Sequence, residues 1–144
     1  MWDNVGVSTQ HIFVDYEGTL CESPVCGGVF SDLLFDDAFT NLKPNNKVKK
    51  YLSEQSNAQI YVLGVVDTGR EVKQKERWLK KYYPMIPEEN YIFVSSEHQK
   101  VDVIDAFVER FGWDKSKVLL IDDKEKHLVP VRKAGYRGVN ANDL

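Results

Sequence analysis

Hydrophobic positions along the chain switch between two spacings, and the switches mark its elements. His11-Ile-Phe-Val14 is a short apolar and aromatic run that ends directly on a carboxylate, Asp15. A run of this kind, followed by turn residues, predicts a buried strand delivering an acid to its own end. From Pro44 to about Ser56, apolar residues fall at Val48, Tyr51, Leu52 and then Ala58 with lysines between them. That is helical spacing, and Pro44 suits a first turn. Gln59 to Val66 is almost continuously apolar, as a central parallel strand is, and ends at Asp67-Thr68-Gly69. Arg70 to Tyr83 predicts a helix with Val72, Trp78, Leu79, Tyr82 and Tyr83 inward. Lys73, Lys75, Arg77, Lys80 and Lys81 are assigned to its other face, read as solvated because Glu71 and Glu76 intersperse the cations. Tyr91–Val94 is a third strand. Lys100 opens a helix with core positions Val101, Ile104, Val108 and Phe111, stopped by Gly112. Lys117 to Ile121 predicts a fourth strand ending on Asp122 and Asp123. A helix with Pro130 near its beginning and Gly135 after its end follows, then a short edge strand over Tyr136 to Val139.

Strands alternating with helices of these lengths call for an α/β fold: a parallel sheet with helices on both faces, joined by right-handed crossovers. Spacing alone leaves the strand order open. Ligands bind such sheets in the crevice at the carboxyl ends of the strands, which is where Asp15, Asp122 and Asp123 fall. Gly18 lets the chain turn away without crowding that crevice, and Thr19 offers a hydroxyl and a backbone N–H to an anion. At 144 residues the chain reads as one domain, 1–144, with an irregular flap at about 20–42.

Composition narrows the function classes. With 19 Lys and Arg against 22 Asp and Glu, the net charge of −3 gives no bulk attraction to nucleic acid or to an anionic membrane, so a nucleic-acid partner needs a local basic patch. The longest apolar run, Ile60 to Val66, is far too short to span a bilayer, and the expectation is a cytoplasmic protein. Cys21 and Cys26 are the only cysteines: two thiols could form a loop disulfide or half of a shared metal site, but a zinc site normally needs four ligands, and they are read as reduced thiols in a surface flap.

Asp15-Tyr16-Glu17-Gly18-Thr19-Leu20 after an apolar strand resembles the first motif, Asp-x-Asp-Gly-Thr, of the haloacid dehalogenase-like (HAD) superfamily. Lys100 at a helix start and Val118-Leu-Leu-Ile-Asp122-Asp123 follow in that superfamily's order, and the resemblance runs from about His11 to Val139. It implies a Rossmann-like three-layer sheet of order 5-4-1-2-3 without a cap domain, which sets Asp15 beside Asp122 and Asp123. It also implies a small phosphatase working through an aspartyl-phosphate, with Asp15 as nucleophile, Glu17 as acid/base and Lys100 as the fixed positive charge. Tyr16, Gly18, Thr19, Gly64 and Thr68 are the corresponding candidates for binding phosphate.

Carboxylates gathered at adjacent strand ends repel one another unless a divalent cation lies between them. Mg²⁺ suits an all-oxygen set, expected here as Asp15, Glu17, Asp122 and Asp123; the resemblance to the superfamily's acidic motif implies Asp123 as the more direct ligand and Asp122 as its support. The alternative for Asp122 and Asp123 is helix capping, and for Lys100 an ordinary surface position.

Two positions depart from the superfamily pattern. Glu17 stands where phosphatases have Asp, and Gly64 stands where the second strand usually carries Ser or Thr, leaving Thr68 as the nearest hydroxyl. The leading expectation is a Mg²⁺-dependent phosphatase or phosphotransferase. Its substrate would be a phosphate carried on a macromolecule, or a small phosphate covered by the flap or by the second subunit of a homodimer. The competing expectation is a catalytically weak binding or regulatory protein.

Overall fold

The computed structural model describes residues 9–22, 42–95 and 98–144. Most of the expected flap, Cys26 and the first eight residues lie outside the described residues. Five parallel strands form the sheet: β1 (His11–Val14), β2 (Gln59–Val65), β3 (Tyr91–Val94), β4 (Val118–Asp122) and β5 (Arg137–Asn140). Their order, β3-β2-β1-β4-β5, is the expected order read from the other edge. Among the described residues, four α-helices connect them: α1 (Asn46–Ser53), α2 (Gly69–Tyr82), α3 (Lys100–Phe111) and α4 (Glu125–Lys133).

The alternation of side chains along each strand divides the core into two layers. Ile12 and Val14 of β1, with Val62, Leu119 and Ile121, meet Val48 and Leu52 of α1 and Trp78 and Leu79 of α2 on one face. Phe13, Leu63, Val118 and Leu120 meet Ile104 and Val108 of α3 and Leu128 and Val131 of α4 on the other. Nearly unbroken apolar runs are what strands covered on both faces require.

The helix ends follow from local chemistry. Asn45 caps α1, accepting from the backbone N–H groups of Lys47 and Val48, so Pro44 lies before the helix and bridges to Cys21 instead of entering the first turn. Thr68 caps α2, accepting from Glu71 N at 3.2 Å. Gly112 ends α3 in the left-handed conformation at φ 67°, which glycine adopts without a Cβ clash.

Three expectations need correction. Phe111 is not a core residue: it is 55% exposed and stacks on Trp113 at the end of its helix. Pro130 lies in the interior of α4, where it forgoes one backbone hydrogen bond and contributes its ring to the wall of the cavity described below. Cys21 is a free thiol buried beneath the site, not a surface residue; burial pushes its pKa up to about 12.

Candidate active site

The register of β1 decides where Asp15 emerges. Val14 pairs with Val62 on one side and Ile121 on the other, and the Asp15 N–H donates to Ile121 O at 2.9 Å, so Asp15 leaves the sheet between the ends of β2 and β4. Asp122 and Asp123 lie at the end of β4. Carboxylate oxygens of Asp15, Asp122 and Asp123 come within 4.8 Å of one another.

Lys100 binds this cluster together. From the first turn of α3 its buried ammonium donates to Asp15 Oδ1 at 2.5 Å and to Asp122 Oδ2 at 2.8 Å. Burial by itself lowers a lysine's pKa, but the two carboxylates overrule it and hold Lys100 above the ordinary value, so it stays charged. Asp122 is the most engaged of the acids. Its Oδ2 also meets His127 Nδ1 at 2.9 Å, and its Oδ1 accepts from Lys124 N at 3.0 Å. Burial opposes its charge, yet these partners bring its pKa down to about 2. Asp15 goes the other way: burial, aided by Asp122 and Asp123 and resisted by Lys100, raises its pKa to about 7.

Asp123 keeps the loosest ties. Among the described residues its hydrogen-bond partner is the Thr19 hydroxyl, which donates to Asp15 Oδ2 at 3.0 Å and to Asp123 Oδ1 at 3.4 Å. Thr19 is fully buried, so its hydroxyl orients two acids instead of facing a substrate. Gly18 has φ 80°, and a Cβ there would fall 2.4 Å from Asp123 Oδ2. The turn after Asp15 therefore needs glycine both for its backbone and for the room Asp123 occupies.

The remaining candidates separate. A cavity of about 470 Å³ opens over the cluster, lined by Asp15, Tyr16, Glu17 and Lys100 among others. Neither Gly64 nor Thr68 lines it. Gly64 packs against Phe93, whose ring carbons lie 3.2 and 3.3 Å from where its Cβ would be, and Thr68 is spent on its helix cap. Val65 lines the cavity in their place, an apolar residue with no hydrogen bond to offer from its side chain. Glu17 is not part of the three-acid group: its Oε1 pairs with Lys75 Nζ at 2.8 Å.

Sequence reasoning missed Lys75 and His127. Lys75, expected on a solvated face, is fully buried. It lies three residues before Trp78 and four before Leu79, so helical spacing puts it on the core face, and its charge hid the signal. His127 follows Asp122 by five residues, across a turn whose geometry only the structure supplies.

The arrangement combines a buried carboxylate open to a cavity, a fixed ammonium and two further acids. It can hold a cation and an anion side by side. The donor set fits Mg²⁺, being three carboxylates with converging oxygens; burial above all, and then the charges of Asp122 and Asp123, raise the pKa of Asp15, and a cation would relieve the repulsive part.

No protein-family model matches the sequence, and no curated protein matches it. Solved structures do. A HAD family enzyme from Bacteroides thetaiotaomicron, in complex with magnesium and inorganic phosphate, superposes with a TM-score of 0.59 at 16% identity over 92% of this chain and 94% of that one. The N-terminal part of the protein BF1531 from Bacteroides fragilis, containing a phosphatase domain complexed with Mg, gives 0.63 at 15% identity over 95% of this chain but only 36% of that one. A haloacid dehalogenase-like hydrolase from Streptococcus pneumoniae gives 0.62 at 15% identity over 90% and 83%. The chain has the HAD-like fold.

Proposed function

We propose that the protein is a Mg²⁺-dependent phosphatase or phosphotransferase that forms an aspartyl-phosphate on Asp15. The observation that carries this reading is the joint placement of Asp15, Asp122 and Asp123 at the carboxyl ends of two adjacent central strands, bridged by Lys100 from α3, with Asp15 and Lys100 lining a cavity. Magnesium complexes of proteins sharing the fold support the choice of ion. Asp15, Asp123 and, through its fixed position, Asp122 are the residues to hold it. When bound, the ion screens an incoming phosphate from the acids and favours the ionised form of Asp15.

The residues do the rest. Lys100 and Thr19 fix the two oxygens of Asp15, so the carboxylate presents a lone pair toward the cavity without a rotamer search. A carboxylate oxygen attacks phosphorus, and the leaving oxygen departs with its electron pair and takes a proton from Glu17. Lys100 stabilises charge on the phosphoryl oxygens. Water, giving up its proton to Glu17, then attacks phosphorus and releases phosphate from Asp15.

A second reading, a phosphate-binding or regulatory protein with little turnover, draws on Val65, which withholds a side-chain hydrogen bond at the cavity wall. Turnover of an aryl phosphate with Mg²⁺ and with chelator separates the two. Mg²⁺-dependent turnover supports the enzyme; phosphate binding without turnover supports the alternative.

A further inference from the structure

Lys75 is a buried lysine at the wall of the cavity over Asp15. Its side chain is fully buried on α2, where taking an ammonium out of water is costly before any pairing. Such a charge can be answered by an acid on its own helix, and Glu71, one turn earlier, does so at 3.1 Å. Yet the ammonium also reaches 58 residues back to donate to Glu17 Oε1 at 2.8 Å, donates to Val65 O at 3.2 Å and lies 4.9 Å from the centre of the Tyr16 ring. Four of these residues, Lys75, Glu17, Val65 and Tyr16, line the same cavity as Asp15.

The geometry points to Lys75 as the positioning residue for Glu17. This rests on the reading of Glu17 as the acid/base above. One oxygen of Glu17 is anchored to Lys75, while Oε2 has no partner among the described residues and the side chain is 34% exposed. An anchored Oε1 and an open Oε2 restrict a flexible side chain to a narrow range of poses at the cavity wall. The extra methylene of Glu relative to Asp, a reach of roughly 1.3 Å, is what a carboxylate needs if it must touch α2 while still serving a group over Asp15. Lys75 would thus compensate for the unusual Glu17, supplying the orientation that a shorter side chain obtains from its own stiffness. Misplacement by about an ångström can cost about a hundredfold in rate.

The test is Lys75→Met, of similar volume and without charge, assayed at saturating Mg²⁺ on an aryl phosphate and on an alkyl phosphate. Help from an acid matters most for the more basic leaving oxygen. The expected result is a fall in kcat of about a hundredfold on the alkyl phosphate and about threefold on the aryl phosphate, with KM little changed. The double variant Lys75→Met/Glu17→Gln should be no slower than Glu17→Gln alone, because Lys75 acts through Glu17. Lys75→Arg, which keeps the charge and the fold, should show the same contrast between leaving groups at smaller amplitude, and it carries the test if Lys75→Met does not fold by circular dichroism. An equal loss on both substrates, a rise in KM alone, or additive losses in the double variant overturns the assignment. Wild-type protein without Mg²⁺-dependent turnover of either substrate overturns the phosphatase reading, and this inference with it.

Discussion

Lys100 Nζ lies 2.5 Å from Asp15 Oδ1, joining residues 85 positions apart in the chain. The pair is asymmetric in its consequences. Lys100 is held charged by two acids, whereas Asp15 is held toward its neutral form by burial despite the lysine. Burial and the neighbouring acids thus favour one more positive charge beside Asp15.

Asp15→Asn is expected to abolish turnover, by about 10³-fold or more, and to raise the melting temperature of the metal-free protein. The folded pKa of about 7 lies above the ordinary 3.8, so the folded state binds this proton more tightly than the unfolded chain. The resulting stabilisation is full below pH 3.8 and is lost as pH rises through 7. Asn avoids that loss, and a gain of about 3 °C at pH 8 is expected for each kcal/mol recovered. Thermal melts of both proteins in chelator, then in Mg²⁺, check it: Mg²⁺ should raise the wild type more than the variant.

Lys100→Met should behave oppositely. Removing the ammonium leaves Asp15 and Asp122 buried without their shared partner, and breaking a buried pair in this way costs about 3–5 kcal/mol. Denaturant titration measures the loss, and added Mg²⁺ should restore part of it. An unchanged midpoint in chelator would show that the acids do not depend on Lys100.

Gly18→Ala places a methyl group 2.4 Å from Asp123 Oδ2 at a backbone φ of 80°. Both stability and Mg²⁺ affinity should fall. Gly112→Ala is the control, because its φ of 67° carries similar backbone strain but open space surrounds it. That variant should lose about 1 kcal/mol and keep its Mg²⁺ affinity, measured by calorimetry.

Glu17→Asp shortens the reach to Lys75 and should not raise activity. Glu17→Gln keeps the length, loses the proton and should slow substrates with basic leaving groups most. A tenfold gain from Asp, or silence of Gln on every substrate, would remove Glu17 from the mechanism; steady-state kinetics on paired alkyl and aryl phosphates decides.

His11 stacks on Trp113 with ring centroids 3.7 Å apart, and burial, reinforced by Lys117, lowers its pKa. The folded state therefore holds His11 neutral where the unfolded chain protonates it. Stability from this residue is present above pH 6.5 and is lost as pH falls below it. His11→Phe should flatten that part of the stability profile. The comparison is best made in the Asp15→Asn background, because Asp15 titrates nearby with the opposite sign.

Local patterns in the sequence were enough to place β1 and β3 at their observed bounds and the other strands and helices within a few residues, because strands covered on both faces and amphipathic helices write their burial into hydrophobic spacing. The acids at the ends of β1 and β4 were legible for the same reason: a carboxylate closing an apolar run has no packing role. Order in the sheet was not legible from spacing, since crossover connections of similar length serve several orders, and it came from the family resemblance. Only the tertiary structure decided how side chains pair across the site. Thr19 turned to the acids instead of a ligand, Gly64 packed against Phe93, and Val65 took the cavity wall. Lys75 was misread because a charge on a helix is ordinarily solvated; it is buried here because Glu17, far away in the chain, and Glu71 meet it inside. Spacing reports which face a residue occupies, whereas the sign and distance of its partner depend on contacts between elements that no local pattern encodes.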